Sequence, residues 1–61
     1  MKAETAIQHF GSRSELAKAL GTSYARVANW SYRTGRVPLQ AALRLQELTR
    51  GKLKVDLSLY G

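Results

Sequence analysis

SRSELAKALGTSYARVANWSYR, residues Ser12 to Arg33, decides the fold. Ala17 stands four residues before Gly21, and Val27 and Trp30 stand six and nine residues after it. Leu16, Leu20 and Thr22 fill the intervals. This is the spacing of a helix-turn-helix, two helices meeting steeply around a turn of three or four residues. Ala17 is small enough for the second helix to approach the first. Gly21 can take the positive φ needed where the chain leaves that first helix. Val27 and Trp30, three apart, bury one side of the second helix and turn its other side outward. Ser12 with Glu15 three residues later reads as a capping box, so the leading helix of the pair runs from Arg13 to Leu20. Thr22 or Ser23 caps the next helix, which continues to about Tyr32 and ends at Thr34-Gly35.

Outward from this unit the pattern stays helical. Ala3, Ala6, Ile7 and Phe10 recur at i, i+3, i+4 and i+7, and Gly11 stops that helix. Pro38 suits the first turn of a fourth helix over Leu39–Thr49, which Gly51 closes. That helix is apolar on more than one side, through Leu39, Ala42 and Leu43 and then Ala41, Leu45 and Leu48. Such breadth belongs to a helix at the centre of a fold or one touching a second surface. The tail supports two readings. Leu53, Val55, Leu57 and Leu59 alternate as in a strand, while Leu53, Leu57 and Tyr60 fit a helix. A short extended piece followed by a helical turn reconciles them. The expected architecture is all-α, a compact bundle of four to five helices. The alternative is α+β, with a C-terminal strand or hairpin.

The 61 residues (1–61) make one small domain. With no cysteine in the chain, neither a disulfide nor a thiolate metal site supports the core. No apolar run approaches the ~20 residues of a membrane span. The N-terminal residues lack the apolar region of a signal peptide. A cytoplasmic protein, without membrane partners, is the expectation. Ten Lys and Arg against four Asp and Glu give a formal charge of +6. Residues 1–36 carry +4 of it and the remainder +2. Such a field attracts polyanions. Enzymatic chemistry has little to stand on: Glu4, Glu15, Glu47 and Asp56 are scattered, and no nucleophile–base pair or metal cluster appears. No cofactor is expected. His9, the one histidine, suits the end of the first helix better than a metal.

If the outward face of the third helix reads DNA, Tyr24, Ala25, Ala28 and Asn29 are the base-reading candidates. The Asn29 amide can pair with adenine N6 and N7, or rest in solvent or on a phosphate. Tyr24 can meet a thymine methyl or donate its hydroxyl; partial packing is the alternative. Ala25 and Ala28 let the helix sit deep. The backbone-holding candidates are Arg13, Ser14, Ser23, Arg26, Tyr32, Arg33 and Arg36. Arg13 and Ser14 open a helix whose free N–H groups favour a phosphate. Trp30 could stack on a base, but its place in the pattern assigns it to the core.

The run HFGSRSELAKALGTSYARVANW from His9, with the later VPLQAALRLQELTRGKLKVDLSLYG, resembles the Cro repressors of temperate bacteriophages and the related YdaS-like regulators. The likeness covers nearly the whole chain. It implies a sequence-specific transcriptional repressor that reads double-stranded operator DNA with its third helix, usually as a homodimer. The apolar surface of the fourth helix and tail is small against the entropic cost of association, so the homodimer is expected to be weak and formed on DNA. It places base reading at Tyr24, Ala25, Ala28 and Asn29. The family often carries Gln-Ser or a similar polar pair where this chain has Tyr24-Ala25, which implies a different operator. Two other functions stay open: a YdaS-like regulator or antitoxin, and a helical protein-interaction module.

Overall fold

A computed structural model describes residues 1–60, apart from the Leu59 side chain. Helix α1 spans Ala3–Phe10, α2 Arg13–Leu20, α3 Tyr24–Arg33 and α4 Leu39–Leu48, and a 3₁₀ turn covers Leu57–Leu59. The all-α expectation holds. Among the described residues the only β-type pairing is an isolated antiparallel bridge between Lys2 and Arg36. The strand alternative for the tail is therefore set aside.

The helix starts follow their caps. Ser12 Oγ accepts from the Glu15 N–H at 3.2 Å and Ser23 Oγ from the Arg26 N–H at 3.2 Å. Each satisfies an amide that a helix N-terminus leaves unpaired. Of the two residues weighed for the cap of α3, Ser23 fills the role. Gly21 turns the chain in the left-handed region (φ 68, ψ 31), which a residue without Cβ adopts freely. Pro38 sits one position outside α4, at its N-cap, rather than in its first turn.

The core gathers Leu16 and Ala17 of α2, Val27 and Trp30 of α3, Ala42 and Leu45 of α4, Ala3 and Ala6 of α1, and Met1, Val37 and Leu53. Leu20, Ile7, Phe10, Val55 and Tyr60 pack around it, half-buried. Both helical stripes foreseen for α1 and α3 thus face inward. The fourth helix buries only Ala42 and Leu45; Leu39, Leu43 and Leu48 remain exposed.

The tail is held by hydrogen bonds to groups from four to 59 positions away. The Val55 N–H donates to Gln46 Oε1 at 2.8 Å, and the Leu53 N–H donates to Thr49 Oγ1 at 3.0 Å. Tyr60 closes the structure: its hydroxyl donates to the Val37 carbonyl and accepts from the Met1 amine at 3.0 Å. Burial lowers the Met1 amine below its ordinary pKa of 8.0 and raises the Tyr60 phenol above 10.0. Asp56 caps the 3₁₀ turn, accepting from the Ser58 hydroxyl at 2.6 Å and the Ser58 N–H at 3.0 Å. Those two bonds hold its carboxyl below the usual 3.8.

Candidate nucleic-acid interface

Helix α3 contains no acidic residue, and its sequence YARVANWSYR divides around the axis into distinct stripes. A helix turns about 100° per residue, so positions three, four and seven apart share a side. Val27 and Trp30 occupy the buried side. Ala25, Asn29 and Tyr32, at i, i+4 and i+7, form the side opposite, and all three are exposed. Arg26, Asn29 and Arg33 run along one flank. Tyr24, Ala28 and Ser31 run along the other. The outward side is therefore short-chained at Ala25, polar at Asn29 and aromatic at Tyr32, with cationic groups beside it.

Of the base-reading candidates, Ala25 and Asn29 stand on the outward stripe, and Tyr24, 52% exposed, stands at the start of the helix. Ala28 lies at the edge, half-buried, and its carbonyl accepts from the Ser31 hydroxyl at 3.0 Å. Among the backbone candidates, Arg26 and Arg33 are exposed on the same flank. Tyr32 belongs to the outward stripe and is 72% exposed. Ser14 is exposed in the first turn of α2, while the Ser23 hydroxyl already serves its cap. Arg13 reaches from α2 to α3, where its Nε donates to Ser31 Oγ at 3.1 Å and its guanidinium lies 4.6 Å from the centre of the Tyr32 ring. Arg36 is placed differently from the rest. It lies in the bridge to Lys2, close enough to the Met1 amine and the Tyr60 phenol to act on both electrostatically.

Two residues outside the sequence-based set join this surface. Gln40 and Arg44 of α4 line a groove of about 460 Å³ together with Thr22, Arg26 and Trp30. Arg44 and Arg26 thus border the same groove. Gln40, Arg44 and Glu47, at i, i+4 and i+7, are the sequence signal that marks a polar stripe on α4.

No group of His, Cys, Asp or Glu among the described residues is arranged to hold a metal. No helix is long and apolar enough to cross a membrane. Trp30 takes the core position expected of it, 9% exposed.

A capped helix pair around a left-handed glycine, presenting an acid-free second helix with a cationic flank, defines a helix-turn-helix DNA-binding protein. Residues 2–60 match the family described as DNA-binding transcriptional regulator Cro, and the chain belongs to that family. It is 41% identical over 54 residues to the regulatory protein cro of Salmonella phage P22, covering 88% of this chain and 84% of that protein. It is 38% identical over 55 residues to the repressor protein of division inhibition gene dicB of Escherichia coli (strain K12), covering 90% of this chain and 70% of that protein. No solved structure matches it. The family is one of DNA-binding regulators rather than enzymes.

Proposed function

We propose that this Cro-family regulator represses transcription in the bacterial cytoplasm by laying α3 in the major groove of an operator with two half-sites. The observation that carries the reading is the outward stripe of α3, exposed and acid-free, beside arginines that can reach phosphates. Asn29 and Ala25 read base edges, with Tyr24 and Ala28 at the margins of the same contact. Arg26, Arg33 and Arg13 grip the backbone and fix the register, with Ser14 and Ser23 at the two helix starts and Tyr32 beside them. Arg36 adds charge from the adjoining loop.

Two copies on one operator follow from the exposed leucines of α4. Leu39 and Leu43, four apart, share a flank that this chain leaves uncovered. In such a pair the two α3 helices would enter successive major grooves, about 34 Å apart on one face of DNA. The contact area of one helix flank is small, and association carries a large entropic cost. The pair therefore forms on DNA. Most of the tail is unavailable for this contact, because Leu53, Val55 and Tyr60 pack on their own core. Leu57, 70% exposed, is a tail residue that can share in it.

Selection from random duplexes tests the reading. The expected product is a palindrome whose recognition weakens at particular bases in Asn29→Ala, by about 1–3 kcal/mol of discrimination. Equal weakening on selected and mixed DNA would place Asn29 on the backbone. Recovery of no preferred sequence would refute specific repression.

A further inference from the structure

Arg13 stands out among the cationic groups because its side chain is held at two points. Its Nε donates to Ser31 Oγ at 3.1 Å, and Ser31 Oγ in turn donates to the Ala28 carbonyl at 3.0 Å. Its guanidinium also lies 4.6 Å from the Tyr32 ring centre, within the range of a cation–π contact. The three residues join the first turn of α2 to the last turns of α3. Tyr32 is otherwise 72% exposed, with little to fix its ring. It shares the outward stripe with Asn29 and Ala25. We propose that Arg13 is a positioning residue of the DNA interface: anchored on Ser31, it braces the Tyr32 ring beside the reading stripe and fixes its own guanidinium for a phosphate before DNA arrives.

The physical argument is one of prior ordering. A long arginine side chain and an exposed tyrosine each lose rotamer freedom when they contact DNA. Where the free protein already holds both, less of that loss falls on binding. With Nε used by Ser31, the two terminal nitrogens are the donors offered to phosphate oxygens. A lysine at this position keeps the charge but has neither the planar group that stacks nor the Nε donor. The contribution of Arg13 is thus separable from its charge. This inference rests on the DNA-binding reading of α3.

The test measures duplex affinity across a salt series for Arg13→Lys, Ser31→Ala, Ser31→Thr, Tyr32→Leu and Tyr32→Phe in the full chain, on the selected operator. Thermal melting of each variant confirms folding. The expected result is a loss of about two- to fivefold for Arg13→Lys, the worth of an exposed cation–π stack, with the salt slope unchanged. Ser31→Ala loses a similar factor, and combining it with Arg13→Lys costs less than the two losses multiplied. Ser31→Thr binds more tightly than Ser31→Ala, and Tyr32→Phe more tightly than Tyr32→Leu. Arg13→Lys binding as tightly as the parent at every salt concentration overturns the proposal. So does full multiplication of the two losses. If Ser31→Ala or Arg13→Lys fails to fold, equal affinity of Tyr32→Leu and Tyr32→Phe overturns it instead. A parent that selects no DNA sequence refutes the function proposed above, whereas these outcomes with a selective parent refute the positioning role alone.

Discussion

Replacing Tyr60 by Phe removes one oxygen and two hydrogen bonds, the one donated to the Val37 carbonyl and the one accepted from the Met1 amine at 3.0 Å. The ring, packed on the core, stays in place. An intramolecular hydrogen bond contributes a net ~0.5–1.5 kcal/mol, so the pair contributes about 1–3 kcal/mol. In a domain of this size that lowers Tm by roughly 5–20 °C. Melting followed by far-UV circular dichroism near neutral pH reads the loss directly. The phenol adds a pH signature. Burial raises its pKa above 10.0, with Arg36 pulling the other way and Asp56 reinforcing the rise. A group whose folded pKa is raised contributes stability that is complete below the unfolded value and lost as pH climbs through the folded one. The gap between parent and Tyr60→Phe therefore narrows as pH climbs above 10.0. Coincident melting curves near neutrality, or a gap that ignores pH through that window, would refute the tie between tail, N-terminus and Val37.

Other expectations follow from the same architecture. Trp30→Ala removes the largest buried side chain of α3 and costs about 3–5 kcal/mol, which rivals the stability of so small a domain. Circular dichroism should show it unfolded or nearly so, and a normally melting variant that no longer binds DNA would make Trp30 a contact residue. Arg33→Ala should weaken binding to all duplexes and reduce the slope of log K against log salt by about 0.9. An unchanged slope removes Arg33 from the phosphate contacts. Leu43→Glu should leave binding to a half-site intact and abolish cooperative filling of the full operator. Retained cooperativity would move the contact between copies elsewhere.

The central unit was legible because its determinants are local. Ser12 reaches Glu15, Ser23 reaches Arg26 and Gly21 sets one turn, so each signal lies within a few residues of what it specifies. The stripe holding Val27 and Trp30 was equally local. The tail was ambiguous because its conformation is settled by groups outside it, some of them distant in sequence. Gln46, Thr49, Val37 and Met1 take up its hydrogen bonds, the last across 59 positions. Periodicity records none of these. Arg13 was visible as a candidate phosphate contact, but its attachment to Ser31 spans 18 positions and two helices. Arg44 escaped notice because α4 reads as a widely apolar helix, and only the packing of α4 beside the turn brings that residue to the groove that Arg26 also lines.

The division of α3 into separate sides has an evolutionary consequence. Val27 and Trp30 carry its burial, whereas Ala25 and Asn29 stand in solvent on the far side. Exposed substitutions away from caps and networks usually change stability by no more than about 0.5 kcal/mol. A lineage can therefore exchange residues on the outward stripe while the fold persists. Descendants of one ancestral protein could then diverge in target and coexist in one cell without cross-regulation. Change at Tyr32 is less free, since its ring is coupled to Arg13. New specificities should accumulate first toward the N-terminal half of the stripe, where no such coupling restrains them.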